Sequence, residues 1–149
     1  RTIIISASSS MIKTIKGITD EDITDEPVFA DIINDISQTI TDAIFVAHNV
    51  EFDYYFLQHE FAREQLPFLA SSLCTVKLAR TIYPTLPRHN LETIINTFNI
   101  PYEKRHRALD DAKALYHLYT KMQKEIDHEI LLTAMRRHTK HPQMHLPKK

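Results

Sequence analysis

Two residues in the stretch Lys104-Arg105-His106-Arg107-Ala108-Leu109-Asp110-Asp111-Ala112 have the types and spacing to act together at one site, with His106 five residues ahead of Asp111. From Leu109 onward apolar residues recur at helical spacing: Leu109, Ala112, Leu115, Tyr116, Tyr119, Met122 and Ile126. Asp111 then falls in the first turn of a helix, where the dipole favours a carboxylate. His106 falls in the loop just before it, free to face the same site. A fixed anion beside a mobile imidazole suits a metal ligand paired with a proton acceptor. Taken alone, the pair also reads as a helix-start acid and a solvated histidine.

A second acid occupies a comparable place. Ala43-Ile44-Phe45-Val46-Ala47 is a short continuous apolar run, the pattern of a strand buried on both faces. It ends at His48-Asn49, and a helix is expected from about Val50 to Glu64, with Phe52, Tyr55, Phe56, Phe61 and Ala62 as its apolar residues. Asn49 can cap that helix, which puts Asp53 in its first turns. An acid just past the carboxyl end of a strand lies where open α/β sheets place their sites. Asp53 and Asp111 can therefore share a metal. Asp53 by itself also reads as a helix-dipole acid.

The remaining elements follow from periodicity and breakers. Thr2-Ile3-Ile4-Ile5 reads as a short strand or an extended lead-in. Gly17-Ile18-Thr19-Asp20 reads as a stop and a new start, and the acids from Asp20 to Glu26 as a solvated surface. Residues 27–39 form a helix whose face is Val28, Phe29, Ile32, Ile33, Ile36 and Ile40. Ser72 to Val76 is a strand running into a helix that stops before Pro84. Asn90 caps a helix from Leu91 to Phe98, and the helix of Asp111 continues to about Arg137. The alternation indicates an α/β fold with a small sheet. Residues 1–129 are expected to form the folded domain, and residues 130–149 a basic tail or linker.

Composition limits the alternatives. At 149 residues, with 43% apolar and 25% charged residues, the chain suits one globular domain. No apolar run approaches the length of a membrane span. One cysteine, Cys74, precludes an internal disulfide and fits a reducing cytoplasm. With Gly17 the only glycine, no glycine-rich phosphate loop can form. Residues 1–102 carry 7 Lys and Arg against 13 Asp and Glu, whereas residues 103–149 carry 11 against 6. The basic portion could contact phosphates; a solvated helix face with a basic end fits equally.

Three blocks taken together resemble the DEDDh exonucleases, the RNase T and DNA polymerase III epsilon-subunit-like family. Lys16-Gly17-Ile18-Thr19 resembles the family's GIT segment. Phe45 to Asp53 resembles its hydrophobic strand followed by HNxxFD, and His106 to Ala112 its HxAxxDA. Cys74 to Arg80 and Asn90-Leu91 are weaker matches between them. The resemblance implies a ribonuclease H-like exonuclease fold, a mixed sheet flanked by helices. It implies 3′–5′ hydrolysis that releases nucleoside 5′-monophosphates from a single-stranded 3′ end of DNA or RNA. Asp53 and Asp111 would be metal ligands, His106 the general base, and His48, Asn49 and Phe52 substrate contacts. Two Mg²⁺ or Mn²⁺ ions would serve as cofactors, and a polymerase subunit or a fused C-terminal domain as partner. The family's first motif, an Asp-x-Glu on the opening strand, has no counterpart before Lys16. Asp127-His128-Glu129 is the one Asp-x-Glu in the chain and lies too late to replace it. Three accounts follow: a piece of a longer enzyme, a non-catalytic relative binding nucleic acid or a polymerase or repair partner, or a domain completed by another chain.

Overall fold

A computed structural model of the chain describes residues 2–4 (as backbone), 21, 24–103 and 108–142. Four strands form one mixed sheet in the order β1 (Thr2–Ile4), β2 (Ile44–Ala47), β3 (Ser71–Cys74), β4 (Thr139–Lys140). The first three are parallel, Thr2 facing Ile44 and Ile44 facing Ser71, and β4 adds antiparallel to β3 with Thr139 opposite Leu73. Among the described residues six helices accompany them: α1 (Phe29–Ile40), α2 (Val50–Arg63), α3 (Thr75–Ile82), α4 (Leu91–Phe98), α5 (Ala108–Glu125) and α6 (His128–His138). This is the expected α/β architecture, a mixed sheet flanked by helices.

Side chains alternate across the sheet, so neighbouring strand residues feed separate cores. Phe45, Ala47 and Cys74 face a cluster with Ile33 and Ile40 of α1 and Val50, Leu57 and Phe61 of α2. Val46 and Leu73 face the opposite cluster, with Leu78, Ile94, Ala114, Leu118, Met122, Leu131 and Ala134 from α3 to α6. The apolar run of β2 is thus consumed on both sides. Tyr54 ties α2 to the entry of β3, its hydroxyl donating to the Ala70 carbonyl at 3.1 Å and accepting from the Ala70 amide at 3.2 Å.

Four expectations change. The helix of Asp111 stops at Glu125 instead of reaching Arg137. Asp127 opens α6, its carboxylate accepting from the amides of Glu129 at 3.0 Å and Ile130 at 3.2 Å. That cap is what the late Asp-x-Glu amounts to. Residues 130–140, expected in a tail, form most of α6 and all of β4. Leu131 and Ala134 are core residues, and Ser71 Oγ lies 2.8 Å from His141 Nδ1. Two amphipathic faces are also rotated. In α5 the buried positions are Asp111, Ala114, Leu115, Leu118 and Met122, while Leu109 and Tyr116 are exposed. In α2 they are Val50, Asp53, Leu57 and Phe61, while Phe52, Tyr55 and Phe56 are exposed. Gly17, the rest of the GIT segment and His106 lie outside the described residues.

Candidate active site

The end of β2 decides where the first acid goes. After Ala47 the chain turns through His48 and Asn49, and α2 starts at Val50. Asn49 holds the N-cap position in the left-handed region, φ 67° and ψ 53°, and its side chain makes no capping bond. The capping bond expected of Asn49 is therefore not made; what asparagine supplies here is tolerance of a conformation that few residues adopt. One turn on, Asp53 is 2% exposed, on the face α2 turns to the sheet. Phe52, next to it, is 42% exposed.

The second acid arrives from the other layer. Asp111 is 5% exposed in the first turn of α5, where the unpaired amides favour an anion. Tyr102, in the loop before α5, donates its hydroxyl to Asp111 Oδ1. Leu115 shares a small apolar pocket with Val46, Leu73 and Thr75 at the carboxyl ends of β2 and β3. Asp111 stands one turn ahead of Leu115 on the same helix face. Asp53 and Asp111 thus lie in the first turns of helices that pack on opposite faces of the sheet; parallel α/β sheets carry their ligands at the carboxyl ends of the strands. Among the described residues no group of three or more His, Cys, Asp or Glu is poised to hold a metal ion.

His48 adds a polarised imidazole at this edge. Its Nδ1 lies 2.9 Å from Thr75 Oγ1, and Thr75 Oγ1 donates to the Ala47 carbonyl at 3.2 Å. Nε2 is buried and makes no hydrogen bond of acceptable geometry. Burial lowers the pKa of His48 to about 4, outweighing the nearby His89 main chain, which pulls it upward; the Arg80 and His89 charges lower it further. The ring is neutral at physiological pH. Sequence reasoning missed Thr75 and Tyr102 as parts of this region. Thr75 carried a faint signal only by lying inside the Cys74–Arg80 match. Tyr102 carried none, because it lies in a loop without periodicity.

The exonuclease family model matches residues 7–119. The chain belongs to the exonuclease family. It is 36% identical over 118 residues to DNA polymerase III PolC-type from Halalkalibacterium halodurans, covering 78% of this chain and 8% of that protein. It is 32% identical over 114 residues to DNA polymerase III subunit epsilon from Treponema pallidum, covering 74% of this chain and 53% of the relative. The chain thus spans a small part of the PolC-type relatives and about half of the epsilon one. Exonuclease X, solved in complex with 5′ overhanging duplex DNA, superposes with a TM-score of 0.59 at 24% identity, covering 85% of this chain and 74% of the other. That likeness identifies the ribonuclease H-like exonuclease fold.

Proposed function

We propose that this chain is the exonuclease portion of a 3′–5′ exonuclease that removes nucleoside 5′-monophosphates from the 3′ end of DNA, or of RNA, in proofreading or repair. The observation that carries this reading is that the two carboxylates expected as ligands, Asp53 and Asp111, are both buried in the first turns of helices in a chain of the exonuclease family. Carboxylate oxygens are hard donors, the type Mg²⁺ and Mn²⁺ take. Asp53 and Asp111 would hold such a cation, though as two ligands they fill only part of its coordination shell. A divalent cation bound there supplies positive charge against the phosphodiester and polarises the attacking water. Asn49, His48 and Phe52 border the same turn and would orient the terminal nucleotide, the exposed Phe52 ring offering a face for a base. His106, by its place in the HxAxxDA block, would accept the water proton as oxygen bonds to phosphorus. The P–O3′ bond then breaks, with its electron pair passing to the 3′ oxygen.

A second reading has its own support. The described residues contain no three-ligand cluster, as in a non-catalytic module that binds nucleic acid or a polymerase or repair partner. The test is release of mononucleotides from a 3′-labelled single strand with Mn²⁺, using this chain and a version extended upstream. The exonuclease reading expects activity in a form whose added strand carries Asp-x-Glu, and its loss in Asp111→Ala with the fold retained. Near-normal turnover in Asp111→Ala would remove the metal role of Asp111. Inactivity of both lengths, with clean folding, would favour the binding module.

A further inference from the structure

Four polar residues are buried among the described residues: Asp53, Ser72, Thr75 and Asp111. Thr75 is 5% exposed and begins α3, directly after the strand next to the one that leads to Asp53. Its hydroxyl bridges two consecutive residues of the neighbouring turn, donating to the Ala47 carbonyl at 3.2 Å and lying 2.9 Å from His48 Nδ1. A hydroxyl has one proton, and a carbonyl can only accept. With that proton committed to Ala47, Thr75 Oγ1 is the acceptor and His48 Nδ1 carries the ring hydrogen. Thr75 therefore selects the His48 tautomer as well as holding the end of β2. The next residue, Asn49, is left-handed without a bond from its own side chain, so the conformation is imposed by what precedes and follows it. Asp53 lies one helical turn further on.

We propose that Thr75 is a positioning residue for Asp53: its hydroxyl, gripping Ala47 and His48 from the adjacent strand, sets the Asn49 turn and so the direction in which α2 delivers the Asp53 carboxylate. The functional meaning rests on the reading of Asp53 as a cation ligand. Residues that hold a ligand in place typically change metal affinity 10- to 100-fold when altered. Thr75→Val keeps the shape and removes the hydroxyl, and Thr75→Ser keeps the hydroxyl. Three readouts apply to each: imidazole ¹⁵N shifts of His48, the Asp53 carboxyl ¹³C shift, and titration with Mn²⁺ alone.

The expected result is that Val abolishes the protonated-Nδ1 signature, shifts the Asp53 carboxyl resonance and weakens Mn²⁺ binding by about 10-fold or more, while Ser restores all three. If Val does not fold, Thr75→Ala is read in its place. Wild-type His48 and Asp53 signals in the hydroxyl-free variant, or failure of Ser to restore them, overturns the proposal. Asp53→Asn separates the two claims. Unchanged Mn²⁺ binding in that variant removes the ligand reading, and the positioning claim is then decided by the two resonances.

Discussion

The neutral His48 ring links site geometry to stability. Its pKa is about 4 in the fold against 6.5 for the free side chain. Between those values the unfolded chain binds a proton that the folded chain refuses, so stability falls as pH drops from about 6.5 toward 4. The shift corresponds to about 3 kcal/mol at most. We expect urea unfolding at pH 7 and pH 5 to show a smaller pH penalty in His48→Asn than in the wild type. His138, also lowered mainly by burial, affects both proteins alike and cancels in the comparison. An equal penalty in both would mean that His48 is not held neutral by burial. Glu51 behaves differently. Lys140 and Lys77 bond its carboxylate and lower its pKa to about 2, but the group is exposed and its window lies between about 4.5 and 2; solvent screening leaves it little weight. The site acids also show where periodicity misleads. Asp53 and Asp111 occupy positions on the buried faces of α2 and α5, so a search for apolar stripes selects the faces bearing Phe52 and Leu109 instead. The carboxylates were singled out by motif and placement; the faces that bury them could not be read from hydrophobicity. His48, Asn49 and Phe52 were legible as neighbours of the turn, whereas the Thr75 bridge needed the strand pairing that brings residue 75 beside residue 47.

At the scale of elements, scarcity of glycine has a cost. Asp42, Asn49, Gln65 and Asn99 all adopt positive φ, Gln65 at 57° just past α2 and Asn99 at 49° closing α4. Asparagine and aspartate tolerate this region, but glutamine has no such advantage. Gln65→Gly is expected to raise stability by about 0.5–1 kcal/mol, measured by denaturant midpoint, the relief of the left-handed conformation exceeding the added freedom of the unfolded chain. A lower midpoint would mean that Gln65 gains from its surroundings what its backbone loses. Helix starts were legible where polar caps obey local rules, as at Asn90, whose side chain accepts from the Thr93 amide at 3.2 Å. The break between α5 and α6 was less so, since the apolar spacing continues through Ile126 and the cap at Asp127 has no glycine or proline beside it. Asp127→Ala is expected to cost about 1 kcal/mol by loss of two amide contacts, read as a lower thermal midpoint.

Across the whole molecule, two cores on opposite faces of one sheet divide the work, and Leu118 sits where α5 closes the larger of them. Leu118 is 1% exposed, and Leu118→Ala is expected to lose about 2–5 kcal/mol, a sizeable share of a typical domain's stability. A loss under about 1 kcal/mol in denaturant unfolding would mean that the cluster repacks freely. The α/β class and the order of elements were legible because β2 and β3 are short apolar runs between helical periods. The placement of β4 was not, because a two-residue strand is defined only by pairing with a partner some seventy residues away in sequence, Lys140 opposite Ser72. That pairing fixes an exit direction. Running antiparallel to β3, the chain leaves Lys140 toward the amino end of the parallel strands, and Pro142 borders a groove with Thr41, Asp42 and Ala43 just ahead of β2. A tag attached through Pro142 would therefore leave the protein from the amino end of the parallel strands.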